Sequence, residues 1–269
     1  MAGIETREGL RLHHEDRGRG PPVVLVHGWS SSSGVFEEVA GAIAGERRVI
    51  APDLRGHGRS AAGGPFGIPD LAADLALLLD RLDLRGALLV GWSMGAQVAL
   101  EALPAVAPRL RGLALASGTP RFVAGEGWSH GQPARTVEVL AHRVRRDPAR
   151  AVARFFDDMF VPGEIADRDR ARLSALRDAL PPPDPAAALA GLDALGGGDQ
   201  RPRLAEVRLP CLVLHGEADP ICPAGAARAV AASVAGSRLE VWPGVGHAPF
   251  LSRPGPFVDL LRGFLGAIA

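Results

Sequence analysis

A serine, an aspartate and a histidine, in that order and each just beyond an apolar run, could together carry out nucleophilic acyl transfer. The serine is Ser93 in Gly91-Trp92-Ser93-Met94-Gly95, a G-x-S-x-G pattern suited to a sharp strand-to-helix turn that lifts a hydroxyl clear of a sheet. Glycines suit the flanks because the turn brings neighbouring backbone close enough that a Cβ would collide. The pentapeptide alone fits an ordinary turn serine equally well. A serine hydroxyl is a weak nucleophile at neutral pH, so it needs a base and a group to orient that base. Asp219 and His247 fill those roles in the required order, with Glu217 as the neighbouring alternative acid. Pro220 and the shorter side chain favour Asp219. Seven other histidines (His13, His14, His27, His57, His130, His142 and His215) compete for the role of base. Only His247 combines the order, a glycine-rich loop and a place after the last strand. Developing negative charge on a substrate oxygen needs two donors, expected from the N–H groups of Met94 and of Trp29 after His27-Gly28.

The elements that must position these groups can be read from periodicity. Apolar runs at 23–26, 48–51, 86–90, 112–116 and 210–214 have strand length and precede loops, and Arg238–Trp242 follows the same plan. Helical patterns lie between them, at 34–44, 70–79, where Asp70 is read as the cap, and 96–107, with a last one at 255–267. Residues 4–16 read as a hairpin with Glu8-Gly9 at its turn. Strands apolar on both faces alternating with helices imply an α/β fold, a mostly parallel sheet covered on both sides. The alternation stops from about 120 to 190, where only arginine-rich helical segments remain. The expected organisation is therefore a core at 1–119 and 191–269 with a helical cap at 120–190, over the edge where open α/β sheets bind ligands.

Composition narrows the function classes. Of 269 residues, 30 are Lys or Arg and 30 Asp or Glu, so no global charge favours a nucleic acid or an anionic membrane. No segment approaches the ~20 apolar residues of a membrane span and no leader pattern opens the chain, so a cytoplasmic protein is expected. Cys211 and Cys222 show neither metal-ligand nor disulfide spacing and are expected to pack.

His27-Gly28-Trp29, the run from Asp53 to Ser60, the Ser93 pentapeptide, Asp219 and His247 together resemble the α/β-hydrolase superfamily over nearly the whole chain outside the cap. A narrower resemblance is to the carboxylesterases of biotin synthesis, which demethylate pimeloyl-acyl-carrier-protein methyl ester. It is carried by Trp29 with Trp92, His247-Ala-Pro-Phe-Leu-Ser-Arg-Pro254, Ala116-Ser-Gly-Thr-Pro120 and Arg150-Ala-Val-Ala-Arg-Phe155. The longer N-terminal hairpin and Ala96, where a second glycine is usual, depart from that pattern. The resemblance implies an acyl-ester substrate borne on acyl carrier protein, with no cofactor or metal, and a monomer. It further implies that Arg150 and Arg154, with Arg168 and Arg172, contact the carrier's phosphopantetheine region and that Phe155 lines the acyl pocket.

The residues themselves leave alternatives. Asp147-Pro148 is a helix start, after which Val152, Phe155, Phe156 and Met159 share an apolar face that either lines a pocket or packs the cap helices together. The cap arginines read as phosphate contacts or as a solvated, salt-bridged surface. Trp92 is either a wall of the acyl site or core. The glycine-rich loop after Asp53 has no phosphate-cradle spacing and reads as structural. Rival functions are a broad esterase, lactonase or ring-cleavage hydrolase, a menaquinone-pathway lyase, or a non-catalytic small-molecule sensor.

Overall fold

Runs that are apolar on both faces become interior strands because a sheet covered on both sides leaves no face for water. A computed structural model describes residues 3–6, 8–64 and 66–268. The strands are β1 (Gly3–Glu5), β2 (Arg11–Arg17), β3 (Pro22–Val26), β4 (Arg48–Pro52), β5 (Ala87–Trp92), β6 (Leu110–Ala116), β7 (Cys211–Gly216) and β8 (Arg238–Trp242). They form one sheet in the order β1-β2-β4-β3-β5-β6-β7-β8. The β1–β2 and β2–β4 pairs are antiparallel, and every later pair is parallel.

The helices are α1 (Glu37–Ile43), α2 (Ile68–Arg81), α3 (Met94–Val106), α4 (Ala134–Arg146), α5 (Pro148–Asp157), α6 (Asp167–Ala179), α7 (Pro185–Gly197), α8 (Arg201–Leu204), α9 (Ala224–Ser233), α10 (Pro249–Ser252) and α11 (Pro254–Ala267). Alternation of side chains along each strand divides the core in two. Val24, Leu89, Leu113 and Val213 pack with α2, α3 and α9. Val23, Leu25, Leu88, Val90 and Leu212 pack on the other face with α1 and α11. Helix α2 begins after Gly67, two residues ahead of Asp70, whose carboxylate reaches back to accept the Gly67 N–H at 2.8 Å. Asp70 thus caps from inside the first turn.

Between β6 and β7 the chain makes five helices, α4 to α8, and no strand beyond two isolated bridges among the described residues. Asp147 starts α5 by accepting the Arg150 N–H at 3.1 Å, with Pro148 at the first helical position. Residue 190 lies within α7, which ends at Gly197, and α8 follows after a break of three residues. Among the described residues no helix is long and apolar enough to cross a membrane.

Candidate active site

β5 ends at Trp92 and α3 begins at Met94, leaving Ser93 at the corner with φ 56° and ψ −119°. A non-glycine residue held so costs about 1–3 kcal/mol and persists only where its surroundings fix it. They do: a Cβ on Gly91 would sit 2.5 Å from the Gly95 carbonyl oxygen, and one on Gly95 would sit 2.3 Å from that of Val26. A Cβ on Gly28 would come within 2.9 Å of the Ser93 Cβ, so the loop after β3 lies directly against the hydroxyl.

The Ser93 Oγ–H donates to His247 Nε2 at 2.9 Å, and His247 Nδ1–H donates to Asp219 Oδ2 at 2.8 Å. The Asp219 and His247 side chains are wholly buried. Asp219 Oδ1 accepts the backbone N–H groups of Ile221 and Cys222 at 2.8 and 2.9 Å. Burial alone raises the carboxyl's pKa. The nearby His247 charge and hydrogen bonds from His215 and His247 outweigh it, holding Asp219 well below the usual carboxylate range. An ionised Asp219 fixes the Nδ1–H tautomer of His247 and turns the Nε2 lone pair toward Ser93. This arrangement can carry a proton from the serine to the histidine while stabilising the imidazolium that forms. Glu217, the alternative acid, is exposed.

The second histidine at Asp219 is a residue that sequence reasoning passes over. His215 Nε2–H donates to the Cys222 carbonyl at 2.7 Å and lies 3.2 Å from Asp219 Oδ2. Its spacing four residues before the acid is a signal only once the intervening turn is known to fold the chain back.

Met94 has the first amide of α3, with no carbonyl four residues back inside the helix. The Trp29 amide makes no hydrogen bond among the described residues. The loops around them are held by buried neutral histidines. His27 Nδ1–H donates to Gly28 O at 2.7 Å while its Nε2 accepts the Leu54 N–H at 3.0 Å. His57 Nδ1–H donates to Arg55 O at 3.0 Å while its Nε2 accepts the Ser30 N–H at 3.3 Å. Burial lowers both, and His57, with His27 also beside it, falls to about 3. Asp53 accepts from the amides of Ser33 and Arg59, and a Cβ on Gly58 would lie 2.4 Å from its carboxylate. The glycine-rich loop is therefore a brace for the loop after β3.

The helices above the site reach it through Trp29, Phe155 and Met159. The Trp29 indole Nε1–H donates to the Ala188 carbonyl of α7 at 2.8 Å, and the Phe155 ring meets it edge-on at 4.8 Å. Phe155 lines an apolar cavity of about 420 Å³ with Phe122, Leu140 and Ile221, beside the Asp219 loop. Met159 is buried in the core under α5, and its carbonyl accepts the His247 N–H at 2.8 Å. Trp92 does not wall the site. The two-residue period of β5 turns it to the same face as Leu88 and Val90, where it packs on Phe36 and Phe250 and donates to the His247 carbonyl at 2.9 Å.

The arginines separate into two groups. Arg150 and Arg154 line a groove of about 450 Å³ between α4 and α5, together with Arg135, His142, Arg143 and Arg146. Among the described residues Arg135, Arg143, Arg146 and Arg150 make no ion pair, while Arg154 meets Asp158 at 3.5 Å. Arg168 and Arg172 stand apart from this groove. Arg172 binds Glu38 at 2.6 Å and the Leu251 carbonyl at 2.9 Å, tying α6 to the core, and Arg168 is exposed beside Asp169. Placed on α6, neither reaches the face formed by α4 and α5.

Comparison with known proteins agrees with this fold. The model of the alpha/beta hydrolase family matches residues 23–260. The chain belongs to that family. Within it, the chain is 36% identical to the pimeloyl-[acyl-carrier protein] methyl ester esterase of Nitrosomonas europaea, over 92% of this chain and 97% of that one. It is 34% identical to the protein of the same name from Chromobacterium violaceum, over 94% and 97%. Among solved structures it resembles an esterase from Exiguobacterium antarcticum (TM-score 0.91, 27% identity, 98% of each chain). A thermophilic esterase from Thermogutta terrifontis is also similar (TM-score 0.85, 28% identity, 100% of this chain and 99% of that one).

Proposed function

We propose that the protein is a serine carboxylesterase that hydrolyses pimeloyl-acyl-carrier-protein methyl ester to the free carboxylate and methanol. The observation that carries this is the reach of the likeness. Alignment over 92% of the chain leaves too few residues outside it to exclude the helical segment that covers the site. A shared core alone would support only a generic hydrolase.

In this reading Ser93 attacks the ester carbonyl as His247 takes its proton, and Asp219 orients and stabilises the imidazolium. The oxyanion is met by the N–H groups of Trp29 and Met94. His247 returns the proton to the departing methoxide. Water then repeats the sequence against the acyl-enzyme, and Ser93 is regenerated. The chain's own residues supply every proton transfer. Phe155 and its cavity suit the acyl chain, and the cationic groove between α4 and α5 suits the phosphate of a carrier-bound prosthetic arm.

The test compares turnover of the carrier-linked methyl ester with that of p-nitrophenyl butyrate. Preference in kcat/KM for the carrier-linked ester is expected. Turnover of the small ester alone would favour a broad esterase, as the esterase structural neighbours suggest. Failure of a fluorophosphonate to label Ser93 would favour a non-catalytic role.

A further inference from the structure

The helices above the site meet the loop of His247 where α5 gives way to α6. There the chain runs Val161-Pro162-Gly163-Glu164, and proline followed by glycine is the signature of a type II turn, which needs a positive φ at its third residue. Gly163 has φ 83°, and the Glu164 N–H donates to the Val161 carbonyl at 3.1 Å. The turn is closed a second time because the Glu164 side chain folds back, its Oε2 accepting the Val161 N–H at 2.9 Å. Glu164 is only 3% exposed, its Oε1 has no hydrogen-bond partner, and among the described residues its carboxylate makes no ion pair. Burying an acid with so few partners is costly. A glutamate that merely closed a surface turn would keep its second oxygen in water, so the burial has to be traced to what lies against the carboxylate.

That neighbour is the loop that carries His247. A Cβ on Gly246 would lie 2.8 Å from Glu164 Oε2 and 2.3 Å from the Met159 carbonyl oxygen, so glycine is required there for close approach. The same Met159 carbonyl accepts the His247 N–H at 2.8 Å. From the other side, a Cβ on Gly216 at the end of β7 would meet the Gly246 carbonyl oxygen at 2.1 Å, and the Ala218 N–H donates to the Val245 carbonyl at 3.0 Å. The loop is therefore pressed between the Asp219 loop and residues 159–164. Beyond the histidine, Arg253 Nη1–H donates to the Glu164 carbonyl at 3.0 Å and to that of Ser252 at 2.9 Å. Both ends of the run from His247 to Arg253 are thus fastened to one short stretch between α5 and α6.

We propose that residues 159–164 set the seat of the general base, and that Glu164 is a positioning residue for His247, holding the turn that keeps the Met159 carbonyl on the His247 N–H. The inference rests on the serine-esterase reading above. Asp219 and Ser93 engage the two ring nitrogens, whereas this stretch fixes the backbone from which the ring hangs. Removing the carboxylate leaves the Val161 amide unpaired and the turn free to carry Met159 away from the histidine. A misplacement of about 1 Å at a reacting group can cost about 10²-fold in rate. Because Glu164 acts through His247 and not on the substrate, its loss slows the proton transfers that all esters share and leaves their binding as it was.

The experiment uses the intact chain on p-nitrophenyl butyrate and methyl butyrate, so it does not depend on a carrier protein. kcat is referred to sites counted by fluorophosphonate labelling of Ser93 carried to completion, which separates the rate of each folded site from the number of folded sites. Glu164→Ala is expected to lower kcat per site about tenfold on both esters, with KM within about twofold of the parent. Glu164→Gln, whose amide oxygen still accepts the Val161 N–H, is expected to recover all but about threefold of that loss. Arg253→Ala loosens the same stretch from its other end and is expected to lower kcat per site about threefold; it decides the matter if Glu164→Ala does not fold. A fall in labelled sites or in Tm while kcat per site stays level assigns these residues to the fold alone and overturns the inference. So does an equal loss in Glu164→Gln and Glu164→Ala, or a loss confined to KM. The esterase reading survives each of these results. No turnover of either ester by the parent chain, with no labelling of Ser93, overturns both.

Discussion

At the level of single residues, charge and hydrogen-bond supply at Asp219 govern what His247 can do. Its carboxylate takes two backbone donors and lies within reach of two imidazoles, so loss of His215, whose single Nε2–H is shared between the Cys222 carbonyl and Oδ2, leaves it oriented but less supported. A hydrogen bond to a charged group contributes about 1.5–3 kcal/mol. If that is felt fully in the transition state, His215→Phe lowers kcat by about 10- to 100-fold. Asp219→Asn should cost about 10⁴-fold, because the amide permits the wrong histidine tautomer. Steady-state kinetics on a small ester checks both, and near-equal effects of the two substitutions would contradict the assignment. His57 predicts a pH effect on stability. Its folded pKa, about 3, lies below its unfolded value, so only the unfolded chain takes up the proton as pH falls below about 6.5. Stability is whole above that value and is lost on acidification through the window down to about 3. At pH 5 the loss from this residue is about 2 kcal/mol, from 1.36 kcal/mol per unit over some 1.5 units. Urea unfolding of His57→Gln at pH 7 and 5 should show a pH dependence smaller by that amount. Asp219 has the same sign, since its folded pKa is also depressed, but its stabilisation is lost only as pH falls below its unfolded value of about 4 and does not enter this comparison.

Among the elements, α2 is locked to the loop after β4 by a buried pair. Arg55 Nε and Nη2 donate to the Asp74 carboxylate at 2.6 and 2.7 Å, with both side chains nearly inaccessible. Removing Asp74 takes from the buried guanidinium its closest carboxylate, with Glu8 still 3.8 Å away, so Asp74→Ala is expected to destabilise by up to about 3–5 kcal/mol in urea unfolding. A loss under 1 kcal/mol would mean that water compensates the arginine. The helices above the site act differently. Arg146→Ala with Arg150→Ala removes two cations from the groove between α4 and α5 and should slow the carrier-linked ester at least tenfold while sparing p-nitrophenyl butyrate. Equal loss on both esters would show that the groove serves the fold. The pairing of α4 with α5 is not legible in the sequence. Arg143 and Arg146 read as a solvated helix end until packing of the two helices puts them on one wall with Arg150. Arg172 shows the converse, a cap arginine whose partner, Glu38, lies 134 residues away.

For the molecule as a whole, formal charge is zero, so long-range attraction of an acidic partner has to come from the local cationic groove. Between about 0.05 and 0.5 M salt, over which the Debye length shrinks from about 14 to about 4 Å, kcat/KM on the carrier-linked ester should fall severalfold while that on the small ester stays level. The strand runs, their alternation with helices and the order Ser93, Asp219, His247 are legible in the sequence because they depend on local period and on chain order in a parallel sheet. The sequence leaves Trp92 open between a wall of the acyl site and the core, and its packing with Val90 on one buried face decides it. What only the tertiary structure decides are contacts that no local period signals: His215 with Asp219 across a turn, Met159 with His247, Phe155 edge-on to Trp29, and the cations gathered from α4 and α5. These depend on how helices settle on the sheet, which side-chain shape and the full set of packing contacts determine together. The sequence specifies the groups that can react; the packing of α4 to α7 over them sets the space in which a substrate can meet them.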